Sequence, residues 1–164
     1  MSEWFLTYGF ADVYDCLIIG AYPLDGDDVH ALAHMTVRRI LNLVEDEEYE
    51  PGRRLLIEQE LAAAGIEEHR MRLTDFGRLP ADLLEDAVQR VVSWLDDEGL
   101  IYMHCRAGWQ RSAAVAAGVV AIREGMGIED AMAYVQQRKP TASPLPHQLE
   151  DLQAWWQARE ARAR

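Results

Sequence analysis

Only two of the 164 residues are cysteine, Cys16 and Cys105, so no disulfide framework braces this chain, and without a CxxC pair it offers no zinc site. Basic side chains are also scarce: 16 Lys and Arg stand against 28 Asp and Glu, a net charge of −12. That balance argues against nucleic acid as a partner, because such binding rests on phosphate neutralisation by Lys and Arg. It also removes any global attraction to an anionic membrane, although a local basic pocket inside an acidic surface stays open. No apolar run approaches the ~18 residues a membrane span requires, so no stable membrane insertion is expected. The opening MSEWFLTYGFADVYDCLIIGAYPL has apolar patches but no basic region ahead of them, unlike a signal peptide. Repeats, low-complexity tracts and long linkers are absent too. The expectation is a reduced, cytoplasmic protein with one domain over residues 1–164. With 49% hydrophobic and 27% charged residues it can bury an ordinary core without staples.

Short runs rich in Ile, Leu and Val read as strands at Leu17 to Gly20, Arg39 to Val44, Glu67 to Leu73 and Leu100 to His104. Helical patterns lie between them. DGDDVHALAHM opens with acids suited to a helix N-terminus, and PGRRLLIEQELAAAG has Pro51 near its start and Gly65 at its end. LPADLLEDAVQRVVSWLDDEG puts Leu84, Val88, Val91 and Leu95 on one stripe and stops at Gly99. Three more helices are expected, roughly Gln110 to Glu124, Ile128 to Arg138 and His147 to about Glu160. Strands alternating with helices and a helical end predict an α/β domain, a small central mixed sheet of four to five strands flanked by helices.

One stretch, YMHCRAGWQRSAAVAAG, carries the chemistry. A predicted strand runs into Cys105, then a short turn, then a helix. Ala107 and Gly108 let the backbone bend, and Gly108 accepts φ > 0. Such a strand-turn-helix aims successive backbone N–H groups at one point, backed by the positive end of a helix dipole. A free thiol of pKa ~8.5 is only a few per cent ionised at pH 7, but at a helix N-terminus beside cations it can fall into the range ~3.5–7.5. The nest that holds a thiolate also fits phosphate oxygens, and the fork of Arg111 binds two of them at once. Thiolate, cradle and arginine together describe phosphoryl transfer to cysteine. As unrelated residues, Cys105 would be a core thiol and Arg111 a surface cation. Average residue frequencies put this His, Cys, Gly, Arg and Ser combination at fewer than roughly one in a million positions.

HCRAGWQRS resembles the signature of the cysteine-based protein tyrosine and dual-specificity phosphatases: His-Cys, five residues, Arg, then Ser or Thr. The resemblance implies that Cys105 is the nucleophile and that Arg111 binds the phosphate. It also implies that Ser112 helps the thiolate leave a phosphocysteine intermediate, and that backbone amides from Arg106 to Arg111, through Ala107, Gly108, Trp109 and Gln110, line the cradle. His104 resembles the residue that buttresses the loop; alone it reads equally as a satisfied core histidine. Trp109 and Gln110 are this chain's variation, touching substrate or facing elsewhere. The family takes its acid from a loop some thirty residues before the cysteine, and Asp75 in RMRLTDFGRLP stands thirty residues before Cys105. Gly77 would permit loop movement, and Arg78 is a candidate for reaching an anionic substrate. The resemblance extends over most of the chain. IIGAYPL, EDEEYE and HCRAG are similar to the compact phosphatases related to the mitochondrial phosphatidylglycerophosphate phosphatase. The implied substrate is therefore a phosphorylated protein or a phospholipid, hydrolysed without metal or cofactor.

Other features read more plainly. Cys16 is a core thiol or a redox partner of Cys105. EDEEYE, residues 45–50, is a solvated acidic loop with nothing to fix a metal's geometry. Ser143, His147 and Gln148 are candidates for the pocket edge. Of the adjacent Trp155 and Trp156, one anchors the last helix. Two other classes compete with a phosphatase: a phosphate-binding module, which would tend to lack the nucleophile, the arginine or the acid, and a thiol redox enzyme, which would want a nearby second cysteine.

Overall fold

The computed structural model describes residues 1–164. In chain order the elements are α1 (Glu3–Tyr8), β1 (Phe10–Tyr14), β2 (Leu17–Gly20), α2 (Gly26–His34), β3 (Val37–Asn42), α3 (Arg53–Ala63), β4 (Glu67–Arg70), α4 (Ala81–Trp94), β5 (Leu100–His104), α5 (Arg111–Glu124), α6 (Ile128–Arg138) and α7 (Pro146–Ala163), with a 3-10 turn at Asp46–Glu48. The sheet order is β1-β2-β5-β3-β4. β2, β5, β3 and β4 are parallel and β1 adds to one edge antiparallel.

Strand alternation divides the core into two layers. Ile18, Ile40 and Tyr102 face α2 and α3, joining Val29, Leu32, Ile57 and Leu61. Leu17, Ile19, Leu41, Ile101 and Met103 face the other way, into the cluster built with α4 to α7. α5 is buried along most of its length and rich in alanine, which lets its neighbours approach closely. A Cβ at Gly118 would lie 2.7 Å from Val88 and 3.3 Å from Trp155, so only glycine lets α4 and α7 close on α5 there. Trp155 is the buried anchor of the last helix, and its indole N–H donates to Glu85 at 2.7 Å.

Two elements escape the sequence reading, α1 and β1. A six-residue helix is too short to display a period, and β1 buries only Val13 fully, so neither carries a clean pattern. Elsewhere the differences are at boundaries. α3 begins at Arg53 after Gly52 in a left-handed conformation, leaving Pro51 in the preceding turn. α4 ends at Trp94, and Gly99, at φ 113°, shapes the turn into β5 instead. β3 and β4 leave regular pairing at Asn42 and Arg70, although Leu73 N–H still donates to Leu43 O at 3.2 Å.

In such a sheet the carboxyl ends of the parallel strands form one rim, where open α/β folds place their sites. The loops after β5, β3 and β4 meet there.

Candidate active site

β5 delivers His104 and Cys105 to that rim, and α5 begins at Arg111. Between them the loop turns through Gly108 at φ 76°, where a Cβ would lie 2.6 Å from the Gly20 carbonyl carbon. Backbone geometry and the close passage of β2 both demand glycine. The loop is held from outside as well. Tyr22 N–H donates to Arg106 O at 3.0 Å and Ser143 N–H to Trp109 O at 2.6 Å.

Cys105 is buried, its Sγ 3.4 Å from Ser112 Oγ. Burial opposes the anion. The Arg111 guanidinium, with hydrogen bonds from the Ser112 hydroxyl and the N–H groups of Ser112 and Gln110, outweighs it and holds the thiol below its ordinary pKa. His104 is the reverse case. Burial first, and then the cations Arg111, Arg54 and Arg70, push it down to about 3, so it is neutral at physiological pH. Its Nδ1 donates to Cys105 O at 3.2 Å. Neither its side chain nor Gly108 lines the cavity. His104 supports the loop from its β5 end, and Gly108 belongs to it through backbone alone.

Arg111 is 1% exposed and its donors are almost fully committed. Nη1 and Nη2 each meet a Glu48 oxygen at 2.7 Å, Nη1 also donates to Leu73 O at 2.8 Å, and Nη2 lies 3.0 Å from Asp75 Oδ1. Nε is buried without a protein partner. The acidic run therefore has a job that its composition hid. Glu48 is not a solvated residue: the 3-10 turn folds it against Arg111, and Glu45 N–H donates to its Oε2 at 2.9 Å. The available signal was electrostatic: a buried arginine requires a counter-charge, and EDEEYE follows the strand that ends beside the phosphate loop.

Asp75 reaches the same place from the loop after β4. That loop is stapled to α7 rather than free. His147 Nε2 donates to Phe76 O at 2.8 Å, Gln148 Nε2 to Gly77 O at 3.1 Å, and Asp151 accepts from Leu79 N–H at 2.8 Å. Phe76 holds φ 58°, a strained value for a non-glycine residue. Arg78 pairs with Asp151 at 2.8 Å and Glu150 at 3.3 Å and does not line the cavity. Ser143, His147 and Gln148 likewise brace loops and do not line the cavity.

Cys105, Arg111, Asp75, Trp109 and Gln110 share one cavity of about 340 Å³ with Arg106 and Ala107. No group of three or more His, Cys, Asp or Glu residues is arranged to hold a metal ion, and no helix is long and apolar enough to cross a membrane. Cys16 lies at the amino end of β2 and Cys105 beyond the carboxyl end of the parallel β5. The length of β5 between those levels, about 13 Å at ~3.3 Å per residue, far exceeds the Cα separation a disulfide tolerates. A Cys16–Cys105 bridge is excluded.

Comparison with known proteins agrees with this geometry. Residues 19–158 match the family model described as Dual specificity phosphatase, catalytic domain. The mouse protein Phosphatidylglycerophosphatase and protein-tyrosine phosphatase 1 is 27% identical over 148 residues, 90% of this chain and 76% of that protein. The crystal structure of PTPMT1 superposes with a TM-score of 0.80 at 25% identity, covering 94% of this chain and 98% of that one. That of PTPMT1 in complex with PI(5)P gives 0.82, also at 25% identity, over 94% and 99%. The loop that carries Cys105, the sheet that presents it and the match over most of its length agree: this chain belongs to the dual-specificity phosphatase family and is a cysteine-based phosphatase similar to PTPMT1.

Proposed function

We propose that the chain hydrolyses phosphomonoesters in two steps through a phosphocysteine, with residues 1–164 acting as one catalytic domain. The observation that carries this reading is the meeting of the Cys105 thiol, the Arg111 guanidinium and the Asp75 carboxyl on one cavity. In the first step Cys105 Sγ bonds to phosphorus as the ester P–O bond breaks, and protonated Asp75 gives its proton to the departing oxygen. Arg111 and the loop amides from Arg106 to Arg111 stabilise the charge on the remaining oxygens. In the second, water attacks phosphorus, Asp75 takes a proton from it, and the P–S bond breaks to restore the thiolate. Ser112 Oγ, 3.4 Å from Sγ, donates a hydrogen bond to that leaving thiolate. Neither step needs a metal or cofactor. A thiolate open to a cavity is readily oxidised, and Cys16 is too distant to shield it as a disulfide. The protein therefore belongs in a reducing, cytoplasmic setting.

Phosphotyrosyl and phosphoseryl or phosphothreonyl proteins are the leading substrates. Phospholipids are the second reading, supported by the mouse relative's name and by PTPMT1 having been crystallised with PI(5)P. Arg106, exposed on the cavity wall, offers a cation for a second anionic group. The test is phosphate release from phosphopeptides, phosphatidylglycerophosphate and phosphoinositides with EDTA present, and acid quenching to trap labelled phosphocysteine. Turnover with a trapped Cys105 adduct is expected. Loss of activity in EDTA alone, or turnover without an adduct, sinks the mechanism, and the relative rates on lipids and peptides decide between the substrate readings.

Asp75→Asn is expected to lower kcat by ~10²–10⁴ for alkyl esters. The deficit should shrink for aryl esters with acidic phenols, whose oxygens leave with less need of a proton. A deficit independent of leaving-group pKa would assign Asp75 to holding Arg111 and not to proton transfer.

A further inference from the structure

Part of the wall of the catalytic cavity comes from an element outside the matched family segment, residues 19–158. α1 places Trp4 and Tyr8 on that cavity together with Trp109. The three rings form a row: Trp4 and Tyr8 have centroids 4.2 Å apart, and Tyr8 and Trp109 5.3 Å apart. Phe76 lines the mouth as well and is 64% exposed. A phosphate needs none of these; its contacts are amides and a guanidinium. An aromatic wall beside the nucleophile meets whatever body the phosphate is attached to.

α1 is fixed in place by groups with little other use. Asp28 is fully buried and accepts from Ser2 N and Ser2 Oγ, both at 2.7 Å, as well as from Leu24 N–H at 2.8 Å. Lys139, only 5% exposed and in no ion pair, donates to Tyr8 O at 3.3 Å. Phe5, 1% exposed, packs against both Phe10 and Tyr102. Six residues cannot hold a helix by propensity, so these buried contacts determine where the rings stand. Trp4 Nε1 is meanwhile buried without a partner. The ring packs on Tyr22 as well, with centroids 5.4 Å apart, so its position on the cavity is fixed from behind.

We infer that Trp4 and Tyr8 are specificity-determining residues that receive the leaving group, favouring phosphomonoesters whose ester oxygen is carried on an aromatic or other flat apolar body over compact polyhydroxylated ones. The inference rests on the phosphatase reading of the same cavity and adds the residues that choose among its substrates. α1 is a pre-positioned wall, so the preference is built in before substrate arrives.

The experiment compares kcat/KM on phenyl phosphate and on glycerol phosphate for the wild type and for Trp4→Leu, Tyr8→Leu, Trp4→Phe and Leu6→Ala. Aromatic pairing worth ~0.5–1.5 kcal/mol corresponds to roughly a two- to twelvefold loss. Each leucine variant should lose that factor on phenyl phosphate and less than about twofold on glycerol phosphate. Trp4→Phe, which keeps a ring, should recover most of the preference, and Leu6→Ala, on the exposed face of the same helix, should change neither rate. Equal losses on both esters would make α1 a structural prop and overturn the inference, as would no change on either. A folded wild type silent on both esters would overturn the phosphatase reading and the subsite with it, and that result is distinct from a preference that fails to move.

Discussion

Cys105→Ser is expected to abolish phosphate release, a loss on the order of 10⁴–10⁶ in kcat for removal of a covalent nucleophile, while phosphate binding persists. The two properties separate because different groups supply them. Binding rests on Arg111 and the loop amides, which the substitution leaves in place. Turnover rests on an anion, and the same surroundings that hold the thiol below its ordinary pKa cannot ionise a hydroxyl at neutral pH. In the wild type, alkylation of Cys105 by iodoacetamide should therefore titrate with a midpoint below the ~8.5 of a free thiol. The sign follows from the depressed pKa. The thiolate is fully present well above that midpoint, and reactivity and turnover are lost as pH falls through it. His104, at about 3, stays neutral and adds no limb near neutrality. A serine variant that still releases phosphate would mean that another group attacks phosphorus. A thiol that titrates at or above 8.5 would mean that Arg111 does not govern it.

Glu48→Ala should produce the largest stability change among substitutions at the site. The Glu48 and Arg111 side chains are 9% and 1% exposed, and both Arg111 terminal nitrogens meet Glu48 oxygens at 2.7 Å. Removing one partner of a buried pair leaves an uncompensated charge, a cost of about 3–5 kcal/mol. For a domain of this size each kcal/mol moves Tm by about 2–4 °C, which makes the expected fall roughly 6–20 °C. Asp75, 3.0 Å from Nη2, can take over part of the counter-charge, so the lower half of that range is expected. Glu48→Gln keeps an acceptor and should fall less. KM should rise in both variants if Arg111 grips phosphate as proposed, because its guanidinium is no longer held. A melting temperature within a degree or two of wild type for Glu48→Ala would show that Arg111 is satisfied without it.

These expectations were not equally visible beforehand. The phosphate loop is local: Cys105 to Ser112 are contiguous, and a strand, a positive-φ glycine and a helix start are written in neighbouring residues. Asp75 was legible for a related reason. Both it and Cys105 follow strands of a parallel sheet, and parallel strands end on a common rim, so spacing and position along the strand sufficed. Arg78 illustrates the limit. Its place in the acid loop suggested an anionic substrate, but α7 folds across that loop and presents Asp151 and Glu150 to it. Nothing in the local sequence says which helix will lie there.

By itself, the sequence determined the α/β class, the strand-turn-helix around Cys105, the arrival of Asp75 on the same rim and the acidic net charge, because each depends on short-range pattern or on simple counting. Tertiary structure alone decided three things. It made Glu48 the counter-ion of Arg111, 63 residues away in sequence. It set Cys16 and Cys105 at opposite ends of the sheet. It brought Trp4 and Tyr8 to the cavity across almost the whole fold. The physical reason is common to all three. A charge, a thiol or a ring gains its role from the partner brought within a few ångströms, and long-range packing selects that partner independently of the residues beside it in the chain.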